Sequence, residues 1–185
     1  MKKVPVLLLS GVLAMMAFFT ACNNDDDMPP PAATTLYDSL GGTTLVTDPV
    51  NASVKIEQGR LGIRSVVDST IFVIAADPEL SPYFSVLLAE VTAGNTSGFE
   101  ALSDNLTDFF CIATGAENFT YSGLNMVDAH DPARNSRMYG KADDGDFDQF
   151  IVDLVAGAQK NGLPDYLIAR VGAIVETLRS QVVQI

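Results

Sequence analysis

The sequence is poor in the residues from which many functional sites are built. It contains no tryptophan, one histidine and two cysteines, and its 11 Lys and Arg are outnumbered by 23 Asp and Glu. Two cysteines are too few for a disulfide framework or a four-cysteine zinc site, and one histidine excludes two-histidine metal motifs. The net charge of −12 and the lack of a long Lys/Arg run argue against nucleic acid as a partner, because few cations are available to displace counterions.

Residues 1–21 have the pattern of an export signal rather than of a folded segment. A positively charged start, Met1-Lys2-Lys3, precedes an apolar run from Val4 to Ala21 that ends in small residues. The stretch Phe19-Thr20-Ala21-Cys22 resembles a bacterial lipobox, except that Phe19 stands where Leu is usual. The resemblance implies that Cys22 is lipidated and becomes the new N-terminus.

Residues 22–35 are polar and rich in proline, with three consecutive Asp followed closely by three consecutive Pro. We interpret this stretch as a disordered tether between a lipid anchor and a folded domain at 36–185. The lipid would hold the protein at a membrane of the bacterial cell envelope, on the periplasmic or surface side. The alternative is an uncleaved anchor, because the 18 residues from Val4 to Ala21 are just long enough to span a bilayer.

From residue 36 onward, apolar residues recur at spacings of three and four, which predicts helices rather than strands. The segment 43–60 is interpreted as a loop or insertion. No convincing strand alternation appears, so the predicted fold class is all-α. The predicted helices are a buried one from about Gly62 to Ala76 that ends at Asp77-Pro78, one over 99–110 behind a capping box at 97–100, one over 147–158 that stops at Asn161-Gly162, and one that starts at Pro164 and carries Leu178.

A series of short motifs follows a fixed order along this helical part of the chain. The motifs are Leu36-Tyr37-Asp38-Ser39-Leu40-Gly41-Gly42, Asp77-Pro78-Glu79-Leu80, Pro82-Tyr83-Phe84, Phe109-Phe110, Tyr121-Ser122-Gly123-Leu124-Asn125-Met126 and Ala129-His130. Together they resemble the signature of the truncated haemoglobins of group I, over residues 36 to 183. The resemblance implies a two-over-two helical sandwich around haem b, with His130 as the proximal ligand of the iron.

The chemistry of His130 agrees with that role. A neutral imidazole is a good ligand for iron when its other ring nitrogen has a hydrogen-bond acceptor. His130 is the only imidazole in the chain, so ligation by two histidines is excluded. Taken alone, a single histidine is more often a core or surface residue than a ligand, and the ordered motifs are what favour ligation here.

Haem also needs an apolar slot and a positive charge for its propionates. Phe84 matches the aromatic residue that the family packs on the porphyrin. Arg134, Arg137 and Lys141 follow His130 and are candidate propionate partners, although they could equally be solvated charges balanced by nearby Asp residues. The remaining candidate haem contacts, which could also be ordinary core residues, are Leu80, Leu102, Leu106, Phe109, Met126, Phe147 and Phe150.

The distal side departs from the family. Ile71 occupies the position where the family usually has Tyr, Leu106 the position that is often Gln, and Leu102 the helical position opposite. None of the three can donate a hydrogen bond, which should weaken dioxygen binding by about one to two orders of magnitude. If the register is wrong by one residue, a donor returns as one of Thr70, Asn105 or Thr107.

The functional hypothesis is therefore a lipid-anchored globin that binds a diatomic gas: dioxygen, nitric oxide or carbon monoxide. One alternative is a haem enzyme, either a nitric oxide dioxygenase or a peroxidase, although such chemistry benefits from distal donors. The other is a haem-free helical module for interaction.

Three further features have less weight in this hypothesis. The acidic stretch 143–148 is interpreted as a cap for the next helix rather than a calcium loop, because it lacks the alternating ligands of an EF-hand. Cys111 is expected to be an inert buried thiol. The segment 131–146 is longer than in the family.

Overall fold

The computed structural model describes residues 34–185, so the predictions for residues 1–21, for Cys22 and for most of the tether lie outside the described residues. In chain order the elements are α1 (Leu36–Ser39), β1 (Leu45–Thr47), β2 (Lys55–Glu57), α2 (Gln58–Ala76), a 3-10 helix (Ser81–Phe84), α3 (Ser85–Thr92), α4 (Ser97–Ala113), α5 (Met126–His130), α6 (Asp144–Lys160), α7 (Asp165–Glu176) and α8 (Arg179–Val182).

Helix α2 is at the centre of the fold. Its buried residues Ile63, Val67, Ile71 and Ile74 recur every three or four positions and form one continuous stripe. The helix packs against both α4 and α6, and α6 also packs against α7. The four longest helices thus form a two-over-two sandwich, which confirms the all-α prediction.

The predicted description of α2 is wrong in two respects. The helix begins at Gln58, earlier than the expected start near Gly62. It is not buried all round, because the side chain of Phe72 is 63% exposed and rests on the ring of Phe99. Within residues 34–185 no single helix is long and apolar enough to cross a bilayer; α2 and the segment Ser81–Thr92 pass that test only as a pair bent by 107°.

A small hairpin occupies part of segment 43–60, where the sequence predicted a loop or an insertion. Strands β1 and β2 are antiparallel, and Val46 lies opposite the buried Ile56. The Arg64 guanidinium of α2 reaches Asp48, with 3.0 Å between Nη2 and Oδ1, and so ties the hairpin to the core. Three-residue strands are too short to produce a visible alternation of apolar and polar residues, which is why the pattern missed them.

The capping predictions had mixed outcomes. The box expected at 97–100 does not form, because the Ser97 hydroxyl donates to Asn95 and the helix begins directly at Ser97. Asp143 does cap α6: its carboxylate accepts from the Asp146 backbone N–H, and the Asp146 carboxylate accepts from the Asp143 N–H. The stretch 143–148 therefore begins a helix, as predicted. Leu178 lies beyond the end of α7, at the N-cap of α8.

One buried carboxyl stands out where α6 meets the end of α2. Asp153 is only 3% exposed, and its Oδ2 has no hydrogen-bond partner among the described residues. The Gln149 amide donates to Asp153 Oδ1 at 3.3 Å and to Asp77 Oδ2 at 2.8 Å. Burial, with a further contribution from the negative charge of Asp77, raises the pKa of Asp153 above its ordinary value.

Asp153 should make the protein less stable as the pH rises. The pKa of Asp153 is higher in the folded state than its unfolded value of 3.8. Its contribution to the free energy of unfolding is therefore fully present below pH 3.8 and is lost as the pH rises through the folded-state pKa. We expect Asp153→Asn to raise the urea midpoint at pH 7 and to flatten its dependence on pH. The exposed-site control Glu117→Gln removes the same charge and should do neither; equal behaviour of the two variants would contradict the prediction.

Candidate functional site

His130 is the last residue of α5, a short helix that starts at a side-chain cap. The Asn125 carboxamide oxygen accepts from the Asp128 backbone N–H at 2.9 Å. His130 Nδ1 lies 2.8 Å from the Met126 carbonyl oxygen, one helical turn earlier. Since a carbonyl can only accept, the proton lies on Nδ1, and Nε2 carries a free lone pair. No residue within 34–185 forms a hydrogen bond with Nε2.

The charge state of His130 suits a ligand. Burial of the half-buried ring lowers the pKa of His130 below its ordinary value, and the hydrogen bond with Met126 offsets part of that shift. The imidazole is therefore neutral near pH 7, which is the form that donates a lone pair to a metal. Among residues 34–185 no group of three His, Cys, Asp or Glu side chains is arranged to hold a metal ion.

Helix α4 has one buried face and one half-buried face. One face is buried against α2 and includes Ser103, Thr107, Phe110 and Cys111. The other is a row of large side chains that are only half buried, which we call the apolar stripe of α4. Its members are Phe99, Leu102, Leu106 and Phe109. A half-buried row of this kind leaves apolar surface available for a flat hydrophobic ligand.

The structure brings some of the predicted haem contacts together and separates others. Ile71 and Phe147 belong to the central core cluster, and Leu102, Leu106 and Phe109 pack against that cluster. Phe147 is only 2% exposed, and the Arg179 guanidinium covers its ring, with 4.3 Å from Cζ to the ring centroid.

Phe84 and Met126 are half buried outside the core cluster. Phe84 ends the 3-10 helix, and Met126 begins α5, where its carbonyl accepts the His130 hydrogen bond. Leu80 is buried at the N-cap of the 3-10 helix, and Phe150 packs on the core.

The three candidate propionate partners differ in their exposure and in whether a protein carboxylate already pairs with them. Arg134 is 70% exposed and lies 4.0 Å from an Asp128 carboxylate oxygen. Lys141 is exposed. Arg137, in contrast, is already engaged: its Nε lies 3.1 Å from each carboxylate oxygen of Glu90 on α3.

One of the three residues predicted as possible hydrogen-bond donors has a buried hydroxyl without a partner among the described residues. Thr107 is fully buried on the α2-facing side of α4, and its Oγ1 makes no hydrogen bond with any described residue. Thr70, the other threonine considered as a donor, uses its hydroxyl to donate to the Val66 carbonyl at 2.9 Å. Asn105 is half buried on α4. Of these three residues, Thr107 is thus the one that combines full burial with an unused hydroxyl.

A second polar cluster was not predicted from the sequence. The Tyr37 hydroxyl donates to Glu57 at 2.7 Å, Asn118 donates to the same carboxylate, and Arg60 pairs with Asp108. Burial and the Glu57 hydrogen bond raise the pKa of Tyr37 far above its ordinary range. These contacts join residues distant in sequence, so no local pattern could have revealed them.

Cys111, next to this cluster, has no exposed surface. Burial raises the pKa of its thiol to about 11, so the thiolate is absent at neutral pH. The prediction that Cys111 is buried is confirmed.

An apolar cavity of about 320 Å³ lies elsewhere in the fold, lined mainly by residues of α2, α6 and α7. None of its lining residues is a predicted haem contact. Its lining includes Ile63, Leu154, Ile168 and Val171.

Neither a protein-family model nor any curated protein matches the sequence. Solved structures do resemble the chain, and among them are three variants of the truncated hemoglobin from Tetrahymena pyriformis in the Fe(III) form. Each is 20% identical, covers 82% of this chain and 100% of its own, and superposes with a TM-score of 0.58. The chain has a truncated-globin fold. Within the truncated-globin fold, α2, α4, α6 and α7 are the four helices of the sandwich, and α5 carries His130.

Proposed function

We propose that the protein binds haem b through His130 and, on that haem, a diatomic gas. The observation that carries the proposal is the hydrogen bond from His130 Nδ1–H to the Met126 carbonyl, because it directs the free Nε2 lone pair away from α5. The truncated-globin fold and the ordered motifs, which resemble group I, support the same assignment.

The residues present fit a haem group. His130 supplies one neutral nitrogen ligand, and the apolar stripe of α4 supplies hydrocarbon surface for one face of the macrocycle. Bound haem would supply an iron atom with an open position for dioxygen, nitric oxide or carbon monoxide. Arg134 and Lys141 remain available for propionates, since both side chains are exposed.

The distal residues determine how tightly a polarised gas is held. Ile71, Leu102 and Leu106 exclude water from the distal side and donate no hydrogen bond. Chemistry on dioxygen gains from oriented donors, so this apolar side favours reversible gas binding over nitric oxide dioxygenation or peroxidase activity.

The proposal is tested by the absorption spectrum of the purified protein, expressed with haem available. We expect a Soret band that shifts when carbon monoxide is added to the reduced protein. Colourless protein that also fails to acquire a Soret band when haem is titrated in would contradict the proposal and favour the haem-free helical module.

Oxygen kinetics should report the lack of a distal donor. We expect dioxygen to dissociate quickly from the wild type, at a rate that is insensitive to heavy water. Leu106→Gln adds a donor and should slow dissociation by about one to two orders of magnitude, measured by stopped flow. Leu106→Met is the apolar control and should stay near the wild-type rate. A slow, isotope-sensitive wild-type rate would instead identify a native donor, with the Thr107 hydroxyl as the first candidate.

We also propose that Cys22 carries a lipid that anchors the domain to a membrane of the cell envelope. The support is the sequence pattern of residues 1–22 and the polar tether that follows. Mass spectrometry of the N-terminal peptide from detergent-extracted protein should show a diacylated Cys22. An unmodified chain that begins at Met1 would contradict this part of the proposal.

A further inference from the structure

The segment after His130 crosses to another part of the fold before α6 begins. Tyr139 donates its backbone N–H to the Tyr83 carbonyl at 3.0 Å, and the Tyr83 hydroxyl donates to Asp146 at 2.7 Å. Tyr83 belongs to the 3-10 helix that also carries Phe84. Residues 131–143 therefore connect α5, which carries His130, to the 3-10 helix, which carries Phe84.

An ion pair fastens the same segment to α3. Arg137 Nε lies 3.1 Å from both Glu90 carboxylate oxygens, and both side chains are partly shielded from solvent. The pair packs against Gly98 at the start of α4. A Cβ at Gly98 would overlap Glu90 Oε2 and would lie 3.1 Å from Arg137 Nε, so the lack of a side chain there makes room for the pair. Because Phe99 is the next residue, the ion pair sits at the N-terminal end of the apolar stripe of α4.

Asn135 joins this ion pair to the helix of the proposed ligand. Its Nδ2 donates to the Ala129 carbonyl at 2.8 Å, one residue before His130. Its Oδ1 accepts from the Arg137 backbone N–H at 3.1 Å. The contacts thus run without interruption from α5 through Asn135 and Arg137 to Glu90 on α3.

We propose that residues 131–143 form a strap across one edge of the haem crevice, and that the Arg137–Glu90 pair is the latch that sets how fast haem escapes. The inference rests on the proposed haem binding, and it assigns Arg137 a protein carboxylate as its partner in place of a propionate. In this proposal the haem would lie between the apolar stripe of α4 and His130. The latch closes the end of that space where α3, α4 and the strap meet.

Transfer of haem to excess apomyoglobin measures the escape rate directly. Arg137→Gln and Glu90→Gln should each accelerate haem loss by about fivefold, as expected for one partly exposed ion pair. The double variant should be no faster than either single variant, because both remove the same interaction. Arg170→Gln is the control: it removes the same charge at an exposed site on α7 that has no proposed role in haem binding, and it should leave the rate within about twofold.

The Glu90 variant separates the latch from the propionate interpretation. If Arg137 served a propionate, Glu90→Gln would free the guanidinium and would slow haem loss or leave it unchanged, and that result would overturn the proposal. Equal rates for Arg137→Gln and Arg170→Gln would also overturn it. The Soret band of the wild type tests haem binding separately from the transfer rates. Its absence would overturn haem binding itself, and with it this inference.

Amide hydrogen exchange gives a second readout that does not depend on the iron. Opening the latch should speed exchange at residues 136–141 in Arg137→Gln and in Glu90→Gln, while the α6 amides stay protected. Unchanged exchange across the strap in both variants would overturn the latch.

Discussion

Replacing His130 with alanine is expected to abolish specific haem binding. The chain has no second imidazole that could take its place, and the Cys111 thiol is buried and protonated. We expect haem affinity to fall by more than about a hundredfold, since losing a ligand outright costs more than disturbing the groups that orient it. Titration of haem into the purified variant, followed at the Soret band, measures the loss.

Two controls show whether the loss is due to the ligand. Far-ultraviolet circular dichroism of His130→Ala should match the wild type, because a half-buried side chain at the end of a short helix contributes little to the core. His130→Gly with added imidazole should recover the Soret band, since the small ligand can occupy the space of the ring. An alanine variant that binds haem as tightly as the wild type would contradict ligation by His130.

The second large effect concerns the crossing of α2 and α6. A Cβ at Gly157 would overlap Thr70 Oγ1 and would lie 2.8 Å from the Thr70 backbone nitrogen, so the two helices can approach this closely only with glycine there. Gly157→Ala should cost about 3 kcal/mol of unfolding free energy, because backbone on the facing helix has to move. Urea denaturation at pH 7 measures the change.

Gly172 provides a matched control on α7. A Cβ there would meet no atom within 4 Å, so alanine fits without strain. Gly172→Ala should leave stability unchanged or raise it by up to about 1 kcal/mol, through the higher helix propensity of alanine. If both glycine variants lose similar stability, the close α2–α6 crossing is not the cause.

The sequence predicted those parts of the fold that local periodicity encodes. The ends of α2 before Asp77-Pro78 and of α6 before Asn161-Gly162 were both predicted correctly, because these turn residues end a helix for local steric reasons. The hairpin was missed because its strands are too short to show a pattern. The exposure of Phe72 was missed because hydropathy alone does not reveal which side of a helix has a neighbour.

The candidate site divides in the same way. The contact of His130 with Met126 joins residues one helical turn apart, so it is local in the sequence and lies within one stretch of the ordered motifs. The pairing of Arg137 with Glu90 joins residues 47 positions apart, and the cluster of Tyr37 and Glu57 depends on how α1 meets the hairpin. Long-range partners of this kind are set by tertiary packing and leave no local signal, so the sequence alone did not reveal that Glu90 is a partner of Arg137.

Vibrational spectroscopy tests most directly whether the one imidazole of this chain is the ligand of a haem iron. Because His130 is the only histidine, growth on ¹⁵N-histidine labels a single ring in a tag-free protein. A resonance Raman spectrum of the reduced, gas-free protein should show an iron–histidine stretching band that moves to lower frequency with the label. A haem-loaded protein whose spectrum lacks that band, or whose band ignores the label, would contradict the account.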